Sequence, residues 1–202
     1  VLERLPALVD LFNDWGCEWI AHGVSASSLV HAHMPLAEQR AHIAGALACV
    51  REITARKPLG WLSQDWGSTP DTYRLLAEAG LRYTLDWTND DQPYAMTTDP
   101  ALMAVPLSAE WDDVQCQWLR HIPPREHAQL TLAALDRLRT ECTQHQRRAV
   151  FGLALHPWVS GMASRIAPLR QLLVDLRARQ GVRWTTPGAL LPHAEINAIN
   201  AN

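Results

Sequence analysis

Short apolar segments alternate with helix-like segments along most of the chain, and this alternation constrains the fold more than any other feature. The apolar runs lie at 18–21, 58–62, 81–85, 102–105 and 149–155. Segments with apolar residues at helical spacing separate or follow them, at 36–56, 69–80, 125–144 and 165–179. Strand followed by helix, repeated about five times, predicts an α/β fold with a parallel sheet. The pattern alone does not separate an open sheet from a barrel.

The composition is typical of one globular domain. The chain has 202 residues, of which 48% are hydrophobic and 19% charged, and no repeat or low-complexity linker divides it. We therefore predict a single domain over residues 1–202. The net charge of −3 argues against a nucleic-acid partner, because such proteins usually carry a basic excess. No apolar run approaches the roughly 20 residues that span a bilayer, which argues against a membrane partner.

The cysteines are scattered and form no CxxC pair: they are Cys17, Cys49, Cys116 and Cys142. This spacing argues against both a zinc ribbon and a disulfide framework. Reduced thiols are typical of cytoplasmic proteins, so a cytoplasmic location is expected. The first residues have neither a basic start nor an apolar core, so no signal peptide is predicted.

Polar, titratable and indole side chains follow the predicted strands. They lie at 22–23, 63–66, 86–91, 108–113 and 156–158. Because ligands of parallel α/β folds bind beyond the carboxyl ends of the strands, we expect a site at this edge. The histidines and carboxylates there suit metal binding or general acid–base catalysis. A GxSxG elbow and a glycine-rich phosphate loop are both absent, which disfavours acyl-enzyme and nucleotide chemistry.

Each candidate also has a purely structural interpretation. His22 is equally well explained as a core histidine bonded to a backbone carbonyl, and Asp86 as a cap on the following turn. Asp90 fits a solvated loop. His156, which lies between an apolar run and Pro157, favours a role in the site. The histidines on predicted helices are expected at the surface: His42, His127 and His145.

Tryptophan, with nine residues, outnumbers tyrosine and phenylalanine together. Several tryptophans lie at or beside the predicted strand ends: Trp61, Trp66, Trp87, Trp111 and Trp158. An indole offers a flat apolar face and one donor, which suits a sugar ring or a flat heterocycle. The alternative is that these side chains pack the rim of the fold.

Five segments resemble the polysaccharide deacetylase (NodB-homology) family, and within it the branch that includes the cofactor-independent, urate-pathway allantoinases. They lie at 21–23, 56–62, 75–83, 86–94 and 153–158, and the most specific are DWTNDDQPY at 86–94 and LHPW at 155–158. The resemblance covers nearly the whole chain. It implies a distorted (β/α) barrel that hydrolyses a carbon–nitrogen amide bond.

The resemblance also implies roles for particular residues. His156 matches a late histidine that protonates the leaving nitrogen, and Asp86 or Asp90 is expected to orient water or substrate. His22 matches the first of two metal-ligating histidines. Substrate contacts are predicted for four aromatic residues: Trp66, Trp87, Tyr94 and Trp158.

The chain departs from the family pattern in two places. Ala26 stands where the second ligand histidine is expected, so the predicted cofactor is either none or a single divalent ion such as zinc. The aspartate pair that supplies the base is expected some tens of residues before His22, where only 21 residues stand. We therefore expect the chain to lack the first strand or two of the barrel. Exposed strand edges would then favour a homo-oligomer.

Two functions follow from these features, both with a small-molecule or oligosaccharide partner. The first is a hydrolase of linear or cyclic amides, acting on an N-acetyl sugar or an allantoin-type ring. The alternative is a non-catalytic remnant of such a barrel that binds a carbohydrate or heterocycle. The intact segments around Asp86 and His156 favour the hydrolase, whereas Ala26 and the missing aspartate pair favour the binder.

Overall fold

A computed structural model of the protein describes residues 2–191, which form an α/β fold. The helices are α1 (Pro6–Asp14), α2 (Leu36–Thr54), α3 (Pro70–Glu78), α4 (Pro124–Gln144), α5 (Pro157–Ser160) and α6 (Ile166–Arg177). The strands are β1 (Ile20–Ala21), β2 (Gly60–Trp61), β3 (Tyr83–Thr84), β4 (Tyr94–Ala95) and β5 (Met103–Ala104). Short 3₁₀ turns (Leu2–Arg4, Gln64–Trp66, Ala109–Trp111, Pro187–Leu190) and a π-helical turn (Val114–Leu119) complete the described elements.

The five strands form one sheet in the order β1-β2-β3-β5-β4. β1, β2, β3 and β5 are parallel, whereas β4 runs antiparallel to β5. The sheet is open among the described residues, with β1 and β4 at its edges. The carboxyl ends of the parallel strands therefore lie at the same edge, as the alternation of strands and helices predicts.

The helix boundaries follow local sequence signals. α3 begins after Thr69, whose side chain forms a capping box with Thr72, and Pro70 occupies the first turn, where its missing N–H leaves no hydrogen bond unmade. Gly80, just beyond the helix, has φ +82°, a left-handed conformation that glycine adopts without steric cost. α2 starts directly after Pro35 and ends at Thr54, as the sequence predicts to within two residues.

The core of the sheet region combines strand residues with apolar side chains of α2 and α3. Ala21, Trp61 and Leu102 are buried there together with Ile43 and Leu76. Gly60 on β2 is paired with Tyr83 on β3, and a Cβ at Gly60 would overlap the Tyr83 ring. A larger residue at position 60 would therefore force the buried Tyr83 ring to move.

The chain divides into two compact units. The first comprises 2–105 and 185–191 of the described residues, and it contains the whole sheet; the second is Pro106–Trp184. In the second unit, α4 and α6 pack around Leu135, Leu172 and Leu176. The single domain expected from the composition stays a prediction.

The observed strands differ from the predicted ones in two places. The segment 149–155 is not a strand; Phe151 and Leu153 instead pack against the cluster of α4 and α6. Its apolar character reflects this side-chain packing, which periodicity does not distinguish from a buried strand. β4 arises within a segment that has no strand pattern, because pairing with β5 supplies its hydrogen bonds. Among residues 2–191, no helix is both long and apolar enough to cross a membrane.

Candidate active site

Asp86 follows β3 and joins it to the end of β2. Its Oδ1 accepts the backbone N–H of Ser63 at 2.6 Å, and its Oδ2 accepts the Ser63 hydroxyl at 2.7 Å. The indole N–H of Trp61 donates to the same Ser63 oxygen at 2.9 Å. The Asp86 side chain is buried, and burial raises its pKa although the hydrogen bonds from Ser63 act in the opposite direction. The carboxylate thus ties two neighbouring strand ends together.

Tyr73 of α3 lies beside this pair of strand ends. Its hydroxyl donates to Ser68 at 2.8 Å, and its ring contacts that of Trp87 with centroids 6.1 Å apart. Burial is the largest cause of the raised pKa of Tyr73, and the nearby charge of Asp86 acts in the same direction. The phenol therefore stays neutral throughout the physiological range and can act only as a hydrogen-bonding group.

His22 follows β1 at the same edge of the sheet. Its Nδ1 lies 2.6 Å from the carbonyl oxygen of Leu62. A carbonyl only accepts, so Nδ1 carries the proton and Nε2 is the unprotonated nitrogen of the neutral ring. The bond to a backbone carbonyl matches the structural interpretation of His22, but the side chain is exposed rather than in the core.

The remaining predicted residues of this unit lie on loops and on β4. Asp90 is exposed, and its Oδ1 accepts the backbone N–H of Gln92 at 3.2 Å, which closes a local turn. Trp87 is exposed, and Trp66 and Tyr94 are half-buried. Trp66 has φ 54° and follows Asp65 at φ 48°, so two consecutive non-glycine residues occupy the left-handed region. Such strain is unusual and concentrates at functional loops.

His156 lies in the second unit, directly before α5, and is paired with a buried carboxylate. Its Nδ1 is 2.7 Å from Oδ1 of Asp113, and its backbone N–H donates to Oδ2 of the same residue at 2.9 Å. The His156 side chain is 38% exposed, whereas that of Asp113 is 0% exposed. Asp113 thus orients the ring through Nδ1 and leaves Nε2 as the nitrogen that it does not engage.

Several hydrogen bonds hold Asp113 in place. Ser160 of α5 donates its hydroxyl to Oδ2 at 2.6 Å, and the backbone N–H of Asp113 donates to the carbonyl of Ala154 at 3.3 Å. The preceding residue, Asp112, caps the π-helical turn by accepting the backbone N–H groups of Val114 and Gln115 at 2.7 and 3.1 Å. These bonds place Asp113 opposite His156 and compensate for its burial.

Behind Asp113, the hydrogen bonds continue through Ser160 to Gln117 and His127. The Gln117 amide nitrogen lies 2.9 Å from Nδ1 of His127 and 3.5 Å from the Ser160 oxygen. Burial lowers the pKa of His127. The backbone of Trp111 acts on this pKa in the opposite direction, but Nε2 of the ring has no hydrogen-bond partner among the described residues.

The expectation that His42 and His127 lie at the surface is wrong, since both are buried.

Two exposed tryptophans lie beside His156. Trp158 is 55% exposed, and its ring contacts the His156 ring with centroids 5.9 Å apart. Trp118, which is 49% exposed, packs edge to face against Trp158 at 5.6 Å. Exposed indoles are costly to keep in water, so a pair of them next to a titratable ring is a candidate binding surface for an apolar or sugar ring.

A metal does not fit the donors that the structure brings together. Within residues 2–191, the potential ligand atoms that cluster are those of Asp112, Asp113 and His156, all within 4.8 Å of one another. His156 uses Nδ1, and Asp113 uses both oxygens, in the hydrogen bonds between and around them. His22 belongs to no such cluster in the described part of the chain, and Ala26 offers no ligand atom. Catalytic zinc normally has three protein ligands; His22 has no such partners among the described residues, and His156 and Asp113 are bonded to each other rather than open to an ion.

Asp113 is a candidate site residue to which the sequence alone gives no role. It lies within the polar segment 108–113, but it is one of several carboxylates there and is 43 residues from His156. Trp118 carried no sequence signal at all, because no strand end or motif marks it. The structure assigns Asp113 to His156, and it assigns Asp86 to Ser63 in the other unit.

The sequence matches no protein-family model and no curated protein. The fold, in contrast, matches solved structures. A putative polysaccharide deacetylase from Mycobacterium smegmatis is 24% identical, with a TM-score of 0.82 over 96% of this chain and 68% of that chain. PuuE allantoinase is 23% identical, with a TM-score of 0.83 over 95% of this chain and 63% of that one.

A probable polysaccharide deacetylase from Pseudomonas aeruginosa PAO1 is 22% identical, with a TM-score of 0.81 over 95% of this chain and 63% of that chain. The chain thus spans about two thirds of the length of these structures. The resemblance to polysaccharide deacetylases and to an allantoinase is confirmed at the level of the fold, and so is the prediction of a distorted (β/α) barrel. This protein has the polysaccharide deacetylase fold.

Proposed function

We propose that the chain is a hydrolase of a non-peptide carbon–nitrogen amide bond, with His156 as its acid–base group. The observation that carries the proposal is the hydrogen bond of 2.7 Å between His156 Nδ1 and the fully buried Asp113. Such a partner sets the tautomer of the ring and stabilises its protonated form, which a proton-transfer group needs. The names of the structures with the same fold, polysaccharide deacetylase and allantoinase, support the same bond type.

The proposed reaction needs one water and returns every proton. The neutral His156 ring takes a proton from the attacking water at Nε2 as the oxygen bonds to the carbonyl carbon. The imidazolium then gives that proton to the leaving nitrogen as the carbon–nitrogen bond breaks. Asp113 accepts the hydrogen bond from Nδ1–H throughout and takes no part in the proton transfer. No step runs through a metal, because the clustered donors do not fit one.

The tryptophan surface beside His156 supports a substrate that carries a sugar ring or a flat cyclic amide. Trp158 and Trp118 offer two indole faces next to the ring, which suits an N-acetyl sugar or a flat cyclic amide of the allantoin type. The other site residues stay predictions. These are the catalytic carboxylates Asp86 and Asp90, and the substrate contacts Trp66, Trp87 and Tyr94. Association through the edge strands β1 and β4, and a cytoplasmic location, are likewise part of the proposal.

The binder remains the second candidate because of one specific observation. Both oxygens of Asp86 are engaged by Ser63, and the residue is buried, so this carboxylate fits a structural role better than a catalytic one. A chain with the tryptophan surface but no turnover would match this alternative. Binding of the same compounds is therefore measured together with their turnover.

The test measures acetate release from N-acetylated chitooligosaccharides and ring opening of allantoin. We expect turnover of one of them, lowered on the order of 10²- to 10⁴-fold in His156→Gln. His145→Gln is the matched control, because His145 is an exposed histidine beyond the end of α4. Turnover should be insensitive to chelators and to added zinc. Ligand binding without turnover would support the binder, and zinc-dependent turnover would contradict the metal-free mechanism.

A further inference from the structure

A small cavity behind Asp113 is bordered by polar side chains whose hydrogen bonds are incomplete. It measures about 10 Å³, and its lining includes Gln117, His127, Ser160 and Arg165 together with apolar residues of α4 and α6. This volume is about the smallest that can hold one water molecule. The cavity lies wholly within the second unit.

Three residues of this lining each have a buried polar atom without a hydrogen-bond partner in the described part of the chain. The atoms are Oε1 of Gln117, Nε2 of His127 and Nη1 of Arg165. Gln117 and His127 are 8% and 2% exposed, so bulk water does not solvate them. An unsatisfied buried polar group costs about 1–3 kcal/mol, so native proteins usually provide a partner for it.

The three atoms comprise two hydrogen-bond donors and one acceptor. The Gln117 amide nitrogen donates to Nδ1 of His127, so the neutral ring carries its proton on Nε2 and is a donor there. Arg165 Nη1 is also a donor, and Gln117 Oε1 is an acceptor. The reverse orientation would turn the amide oxygen toward the Ser160 oxygen, which already donates its proton to Asp113, so neither of these two oxygens could donate to the other.

We infer that the cavity holds one ordered water, which accepts hydrogen bonds from His127 and Arg165 and donates one to Gln117. Two donors and one acceptor match the usual three hydrogen bonds of a buried water. A cation would face two donors, and an anion would face the lone pairs of the amide oxygen, so neither matches this set.

The water would fix the orientation of the Gln117 amide. In that orientation the amide nitrogen faces the Ser160 oxygen, and Ser160 donates to Asp113. The water therefore completes a chain of hydrogen bonds that runs from Gln117 through Ser160 and Asp113 to His156. This inference does not depend on the proposed hydrolase activity, because its tests read out structure and stability.

The direct test is a crystal structure of the full chain at a resolution that shows ordered waters. We expect one density peak within hydrogen-bond distance of Gln117 Oε1, His127 Nε2 and Arg165 Nη1. An NMR experiment on the same protein should show a long-lived water near the His127 Nε2 proton. An empty cavity, an ion in it, or a direct bond between Arg165 and Gln117 would overturn the inference.

A pair of variants tests the role of Gln117 independently. Gln117→Met keeps the length of the side chain but removes the acceptor, so we expect the melting temperature to fall by about 3–10 °C. Gln115→Met is the matched control in the same π-helical turn, where the side chain is half-buried, and it should change the melting temperature by no more than about 1–2 °C. Equal melting temperatures for the two variants would contradict the inference, as would a water that persists in Gln117→Met.

Discussion

Asp86 and Asp113 are buried by the same hydrogen-bonding device in two different units of the chain. Each accepts a serine hydroxyl, from Ser63 at 2.7 Å and from Ser160 at 2.6 Å, and each accepts a backbone N–H. The difference is the third partner. Asp113 also faces the half-buried ring of His156, whereas the hydrogen bonds of Asp86 extend back to the buried indole of Trp61.

Under the proposed function, this difference distinguishes a structural carboxylate from one that orients a proton-transfer group. A buried carboxylate that faces only hydroxyl and amide donors stabilises the ends of strands, since none of its partners titrates near neutral pH. The same carboxylate beside an accessible imidazole sets the tautomer and charge of a group that can transfer protons. Four predictions test this distinction, in decreasing order of expected effect.

The largest effect is expected for Asp113→Asn. The amide keeps the shape of the carboxylate but not its charge, so His156 loses the anion that orients Nδ1–H and stabilises the imidazolium. We expect kcat/KM to fall on the order of 10²- to 10⁴-fold on the substrate that the wild type turns over. Circular dichroism checks that the variant is folded. Near-normal turnover in a folded Asp113→Asn would remove the basis of the proposed mechanism.

The second prediction compares Ser63→Ala with Ser160→Ala. Each change leaves a buried carboxylate oxygen without its hydroxyl donor, so each should lower the free energy of unfolding by about 1–3 kcal/mol in chemical denaturation. Only Ser160→Ala should also lower kcat, because it alone loosens the partner of His156. If Ser63→Ala reduces kcat as much as Ser160→Ala does, then Asp86 has the catalytic role that the sequence predicts.

A smaller effect is expected for Trp118→Ala. Removing one face of the aromatic pair beside His156 should raise KM about 2- to 10-fold and change kcat little, because the indole binds substrate but moves no proton. Trp184→Ala is the control, since Trp184 is another exposed tryptophan of the second unit, at 57% exposure. Equal KM values for the two variants would mean that the surface next to His156 is not where the substrate ring binds.

The smallest effect is the pH dependence of stability that Asp86 contributes. Burial raises its pKa above the ordinary 3.8, so folding favours the protonated form. The contribution to stability is therefore fully present below the ordinary pKa and is lost as pH rises through the raised folded value. Asp86→Asn should flatten this part of the curve of unfolding free energy against pH, measured by denaturant titration. Parallel curves for wild type and variant would show that Asp86 titrates normally.

Much of the fold can be read from local sequence patterns. Thr69, Pro70 and Gly80 mark the two ends of α3 by capping and backbone conformation, which depend on neighbouring residues alone. The error at 149–155 has a different origin. An apolar run of that length is equally compatible with a buried strand and with packing against helices, and only contacts with α4 and α6 distinguish the two.

The candidate site residues can likewise be read from local sequence only in part. A position after an apolar run is a local property, and it identifies Asp86 and His156 as polar groups worth examining. What each of them bonds to is not local: Asp113 is 43 residues from His156, and Ser63 is 23 residues from Asp86. The burial of His127 on one face of α4 likewise depends on what packs against that face.

The sequence by itself determined the α/β class, the parallel order of most strands, the helix ends and the resemblance to polysaccharide deacetylases. Short-range sterics, capping and hydrophobic periodicity are enough for these features. Tertiary structure alone decided that Asp113 is the partner of His156 and that Asp86 is the partner of Ser63. Each of these depends on a hydrogen bond between distant parts of the chain, and such a bond exists only once packing has excluded water and set the distance.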